Sequence, residues 1–281
     1  MKRIRMPMIG AVSLISLVAA ASLQQGVILR RDLKAEQTDV YKVETKMKQS
    51  VESPMGAQDM DMTQSMTYTM KTGTAGADGK APITLTVTDM KFDMGGAGGG
   101  MMPEMPKEMK MSGKIDERNR FTDLKVEGAN AMMQMMGGST TNSLGSSFIE
   151  FPEKEVKIGD EWDIVMPANK MAGIQESKMK AKLIGEKDGN WEVKMAGPMS
   201  MKMDIGAMMK EQGGSDPTGG MMDGAVMTGK IDMDATAIVE KGTGRTKDIT
   251  MKMKTKMNMD MAGMSIGITG DGATTMKLQK K

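Results

Sequence analysis

From Ile249 to Met261 the chain alternates without a break. The odd positions read Ile249, Met251, Met253, Thr255, Met257, Met259 and Met261, and the even ones Thr250, Lys252, Lys254, Lys256, Asn258 and Asp260. Successive side chains of a strand point to opposite faces, so this period of two gives one dry face and one wet face. A helix would gather Lys252, Lys256 and Met259 on one side and make no sense of the pattern. After Ala262-Gly263 the alternation resumes through Met264, Ile266 and Ile268 and continues to Met276 and Leu278. A hairpin closed on the two-residue loop Ala262-Gly263 pairs Met261 with Met264, Met259 with Ile266, Met257 with Ile268, and Ile249 with Met276. Each pair is apolar, and a one-residue slip destroys every match.

The same rule runs through most of the chain. Met60, Met62, Met66, Tyr68 and Met70 share one parity, as do Ile83, Leu85 and Val87 among threonines. Met199, Met201, Met203 and Ile205 alternate with Ser200, Lys202 and Asp204. Met227, Ile231, Met233, Ala235, Ala237 and Val239 form another set, and Trp191, Val193 and Met195 follow the turn signal Asp188-Gly189-Asn190. Alternation of this kind predicts antiparallel sheet with one solvated face. Leu, Ile, Val and Phe make only 44 of the 281 residues, a level at which disorder is suspected. That suspicion also needs high net charge, and the chain carries +2. The 40 methionines, against 10 leucines, bring the apolar set to 84 and supply a core. Methionine stands where leucine and valine usually stand.

Lys2, Arg3 and Arg5 precede an uncharged, mostly apolar run from Met8 to Ala20, and Ala19-Ala20-Ala21 fits a small-residue cleavage rule. These features predict a signal peptide over residues 1–21 and an exported product, periplasmic or extracellular. The apolar run is shorter than the ~20 residues a spanning helix needs, and no later segment approaches that length, so no transmembrane span is expected after cleavage. An outer-membrane barrel calls for aromatic girdles, and the chain has two Trp, two Tyr and four Phe. Without the leader, 35 basic residues face 36 acidic ones. A near-neutral chain is a poor nucleic-acid binder.

Three pairs of segments recur in order. Residues 90–95 resemble 201–206, residues 111–116 resemble 227–232, and Asp78-Gly79 matches Asp188-Gly189. The spacing predicts a tandem duplication, with a first β repeat over 22–127 and a second over 147–281. Residues 128–146 read as a Met/Gly/Ser linker with at most one short helix near 129–136. The fold expected is all-β: one long antiparallel meander from two pseudo-repeats, forming a curved sheet or half-open barrel as a single β-domain.

Leu33 to Lys46, with its Leu-Lys stretch leading into a strand at Tyr41, and the run from Phe151 to Trp162 (FPEKEVKIGDEW) carry a resemblance. They resemble a family of exported, β-rich bacterial proteins of unknown function, whose members carry a Pro, a Val-x-x-Gly-Asp-x-Trp segment and further β-meander. The resemblance implies fold and export, and brings no activity. Gly159-Asp160 reads as a turn ahead of a strand led by Trp162.

The chain has neither Cys nor His. That removes thiolate nucleophiles, imidazole bases and zinc sites built on those residues. The carboxylates Asp61, Asp204, Asp232 and Asp260 fall on wet faces, where nothing shifts a pKa. Gly95 to Gly100 lacks the Lys-Ser/Thr that ends a phosphate-binding loop. A non-enzymatic protein without a cofactor is expected. One function class is binding: a methionine-lined curved sheet offers an adaptable apolar surface for a lipid, an amphipathic peptide or an envelope protein, or serves structurally. The alternative is chemistry at sulfur. Three Met-dense stretches break the period of two: Met94 to Met111, Met132 to Met136, and Met208 to Met227. Thioethers select Cu(I) or Ag(I), which makes Met101, Met102, Met105, Met208, Met209, Met221 and Met222 candidate ligands. Exposed thioethers also consume oxidants by becoming sulfoxides.

Overall fold

A strand with every second side chain apolar has one face to bury, and a chain of such strands buries it by curling one sheet around it. The computed structural model of the chain describes residues 26–54, 56–95, 106–127, 148–169, 173–205, 224–261 and 263–279. Eleven strands form in chain order: β1 (Gln37–Ser53), β2 (Gly56–Thr72), β3 (Lys80–Gly95), β4 (Met109–Asp116), β5 (Phe121–Val126), β6 (Glu161–Met166), β7 (Ser177–Lys187), β8 (Asn190–Asp204), β9 (Val226–Val239), β10 (Thr246–Met261) and β11 (Met264–Leu278). They make one sheet in the order β5-β4-β3-β2-β1-β11-β10-β9-β8-β7-β6, every neighbour antiparallel. First and last strands pair at the centre, and β5 and β6 are the two edges. The sheet does not close, so the chain is an all-β meander in the form of a half-open barrel.

The β10–β11 hairpin adopts the register its sequence predicts. Met261 faces Met264, Met259 faces Ile266, Met257 faces Ile268 and Ile249 faces Met276. Gly263 takes φ +84°, which closes a two-residue loop at no steric cost. The β7–β8 hairpin turns on Asp188 and Gly189, both at positive φ, as a primed turn requires. Register shifts interrupt the β2–β3, β4–β5, β7–β8 and β9–β10 ladders. Such bulges add local twist and let a wide sheet coil.

Of the recurring sequence segments, residues 90–95 and 201–204 end β3 and β8, and residues 111–116 and 227–232 lie in β4 and β9. The linker 128–146 with its expected helix lies outside the described residues, apart from its neighbours at either side.

Burial is uneven along the strands. At one end, here the base, Tyr41, Tyr68, Met70, Leu85, Met111, Ile115, Leu183, Met195 and Ile249 are almost fully buried. Two non-strand segments fill this end. Residues 26–35 contribute Leu29, and residues 148–156 contribute Phe148, Ile149, Phe151 and Val156. The segments bridge at Val27 and Val156. Phe148 meets Tyr41 edge-on at 5.4 Å and Phe121 at 5.1 Å. Towards the other end the same dry face is only half buried, from Met253 to Met261 in β10 and from Met199 to Met203 in β8.

Candidate functional site: a methionine-lined trough

The base is held by arginine. Beyond residue 21 the chain has five, namely Arg30, Arg31, Arg118, Arg120 and Arg245, and all five act there. Arg31 and Asp39, each 1 % exposed, pair at 2.6 Å, and Arg31 also donates to Asn119 Oδ1 at 3.3 Å. Arg245 reaches the other oxygen of Asp39 at 3.5 Å and pairs with Glu240. Arg30 donates to the carbonyls of Leu29, Pro152 and Glu153, and Arg118 to that of Phe151 and to the carboxylates of Glu150 and Glu153. A planar guanidinium with five donors ties irregular backbone down in a way an ammonium does not. Trp162 of edge strand β6 adds a bond from its ring nitrogen to Glu150 O at 2.8 Å. Phe148 meanwhile packs on Phe121 of edge strand β5, so this segment bridges the gap between the edges.

Above this plug the described residues do not fill the concave face. Among the described residues a cavity of about 1140 Å³ runs along it. Its wall is drawn from both edges and from the central strands, with Met47, Met66, Met195, Met199, Met201, Met233, Met251 and Met253 supplying sulfur. Phe121, Leu124 and Phe148 line it too, with Ile164 and Val165 from β6 and Ile174 from the β6–β7 connection. The volume exceeds the ~300–1,000 Å³ of ordinary small-molecule sites. Ionised side chains border it mainly near the plug, and most are paired: Arg118 with Glu150 at 2.7 Å, Arg120 with Asp116 at 2.7 Å, and Asp163 with Lys180 outside the wall. The trough is therefore mostly apolar, broken by Thr45, Gln64 and Thr274 on the central strands, and close to charge-neutral at its plugged end.

The geometry accounts for methionine here. A Cβ placed on Gly272 would stand 3.2 Å from Met253 Cε and 3.6 Å from Met47 Cε. One on Gly229 would stand 2.5 Å from Met257 Cγ, and one on Gly197 2.9 Å from Met179 Cγ. Long unbranched side chains thus lie across bare backbone on neighbouring strands, where a γ-branched leucine fits poorly. Gln49 donates its side-chain N–H to Met47 Sδ at 2.9 Å and helps fix one of these thioethers.

Burial acts most strongly on Tyr41, Tyr68, Glu150 and Glu240 in and below the trough. Desolvation pushes Tyr68 up to about 12 and raises Tyr41 further. Burial also raises Glu150, against the opposing pull of Arg118 and Arg120. Glu240 is pushed up by burial, but its bonds from Thr243 and Arg245 outweigh this and leave it below the usual carboxylate range.

The seven candidate metal ligands Met101, Met102, Met105, Met208, Met209, Met221 and Met222 lie outside the described residues, as do Met132, Met133, Met135 and Met136. Asp160 sits in the turn expected of it, its carboxylate accepting the Lys157 N–H at 2.9 Å. Periodicity puts the wall methionines of β2, β8, β9 and β10 on a dry face without saying which of them face open space, and the alternating runs read from the sequence do not include Met47 of β1. The plug at 148–153 and its arginines carry no period, but five arginines among many lysines are a signal the sequence does offer. Among the described residues no helix is long and apolar enough to cross a membrane, which bears on helices alone.

No family model matches the chain. No curated protein matches it in sequence. Among solved structures, one of lipovitellin addressing its lipid–protein interactions is 7% identical with a TM-score of 0.47, and covers 89% of this chain. The chain spans about a quarter of that protein's length, 26%. The Pseudomonas aeruginosa protein OccK7 (OpdD) is 6% identical with a TM-score of 0.24, covering 86% of this chain and 99% of its own. Both scores are too low to bear on function.

Proposed function

We propose that this is an exported, non-catalytic envelope protein that carries an apolar molecule, a lipid or an amphipathic peptide, in the methionine-lined trough. One observation supports the reading above all: a cavity of about 1140 Å³ walled by thioethers on a face whose base is already sealed. Unbranched thioethers repack around ligands of different shape, and burying apolar ligand surface contributes ~25 cal/mol per Å² before the costs of association. The basic leader at residues 1–21 supports export and delivery to a compartment rich in lipid.

The test is native mass spectrometry of the full chain recovered from its own cell envelope, followed by titration with the neutral apolar fluorophore N-phenyl-1-naphthylamine. The expected result is a co-purifying lipid or peptide mass and saturable fluorescence that this molecule displaces. Met253→Lys, at a half-buried wall position, should lower probe affinity by tenfold or more, since a desolvated charge then faces the ligand. A clean apo mass with no saturable probe signal contradicts the proposal.

A further inference from the structure

The wall of the trough is chemically changeable, and its sulfurs are graded by exposure. Met47, Met199, Met201 and Met253 are half buried and line the cavity. Met70, Met111, Met179 and Met276 are at most 1 % exposed and lie in the sealed core. Thioether oxidation needs a small oxygen donor to reach sulfur, so the two groups differ in access. Resting on the trough as the ligand site, we propose that Met47, Met199, Met201 and Met253 are a modification site for peroxide-class oxidants, and that their oxidation to sulfoxide releases the bound ligand.

The step balances as an oxygen transfer. The sulfur lone pair attacks one peroxide oxygen, the O–O bond breaks, a sulfur–oxygen bond forms, and the remaining oxygen leaves as water after proton transfer. Sulfur loses two electrons and the peroxide gains them. The product is a polar, chiral side chain in place of a flexible apolar one. Four such changes set acceptor oxygens against an apolar ligand that brings no donor to meet them, while the wall's Thr45 and Thr274 hydroxyls already bond each other, and an unmet polar group against apolar surface is costly. Oxidation is reversible by the two sulfoxide reductases, one for each epimer, so the change works as a switch. Met47 is a special case within the set. Its sulfur already accepts an N–H from Gln49 at 2.9 Å, which engages a lone pair and should slow its oxidation relative to Met253.

The experiment treats the full chain with hydrogen peroxide, maps sulfoxides by peptide mass spectrometry over time, and measures N-phenyl-1-naphthylamine affinity and strand circular dichroism at each point. The expected course is conversion of Met199, Met201 and Met253 ahead of Met70, Met111, Met179 and Met276, with strand signal intact. Probe affinity should fall about tenfold, which is ~1.4 kcal/mol, and return after treatment with both reductases. A variant carrying Met47→Leu, Met199→Leu, Met201→Leu and Met253→Leu is read against its own untreated affinity, which peroxide should leave unchanged because leucine has no sulfur to oxidise. Unchanged affinity once these four are oxidised, or affinity loss that persists in the leucine variant, overturns the switch. Failure of the untreated protein to bind any probe overturns the trough reading beneath it, and the two failures are thereby told apart.

Discussion

The two ends of the sheet are built from one strand pattern yet use different chemistry. At the base, six of the eight aromatics and all five arginines beyond residue 21 gather around segments 26–35 and 148–156, the exceptions being Trp191, which lies under Lys241, and the exposed Phe92. There the dry face is sealed, and a buried Arg31–Asp39 pair sits under the turns. Towards the far end the strands run on as long ribbons, but methionine and glycine replace the aromatics and no described segment covers them. The difference teaches that alternation fixes which way a side chain points, and that a second element decides whether the face is filled. Aromatic and arginine side chains mark where that element lies.

Matched truncations test this contrast most severely. Phe151→Ala empties a fully buried site at the base and should cost about 3–5 kcal/mol. Arg31→Ala leaves Asp39 buried with reduced compensation and should cost a similar ~3–5 kcal/mol. Met259→Ala, on the half-buried stretch of β10, should cost about 1 kcal/mol or less. Urea midpoints read all three, and equal losses at both ends would erase the distinction.

Alkaline titration sharpens it further. The chain's only tyrosines, Tyr41 and Tyr68, are both buried at the base. Burial raises both phenols, so the fold holds them neutral. The stability this represents is complete below about pH 10 and is lost as pH rises through the raised values, about 12 for Tyr68. Phenolate absorbance should therefore be absent from the folded protein at pH 10 and appear together with loss of strand signal. Separate ionisation of either tyrosine near pH 10 in folded protein contradicts a sealed base.

Smaller effects are expected where the two regions meet. Met257→Leu puts a branch over Gly229 and should cost more than Met264→Leu, an exposed position, though still under about 1.5 kcal/mol. Glu150 borders the cavity beside the plug, and burial raises its pKa. The stability tied to its protonated form is complete below about pH 4.3 and fades as pH rises through the raised value. Carboxyl NMR should show Glu150 titrating above an ordinary glutamate, and a midpoint at or below the ordinary range would place it in open solvent.

Much of the fold was legible from the period of two alone. Residues 249–278 specified both strands, their loop and their register, because each apolar pair holds only in that alignment. Asp188-Gly189 announced the β7–β8 turn through its need for positive φ. The trough was half legible: parity puts Met199, Met201 and Met253 on the dry face but carries no information about what stands opposite, and Met47 lies outside the alternating runs read from the sequence. The segment 148–153 has no repeat, and its place is set by carbonyls meeting Arg30 and Arg118 across 122 and 33 residues of chain. Such long-range pairing leaves no local trace. The preference for methionine over leucine became intelligible only with the neighbouring strand in view, since Met47 and Met253 lie over Gly272 of β11.

Methionine methyl NMR gives the most direct reading of the central claim. Full-length protein labelled at methionine Cε and titrated with N-phenyl-1-naphthylamine should show shifts, and contacts to the probe, at Met199, Met201, Met233 and Met253. Met70, Met111, Met179 and Met276 should stay still. A probe that binds while the wall methyls stay fixed, or one that moves the sealed methyls instead, would contradict a trough open above a filled base.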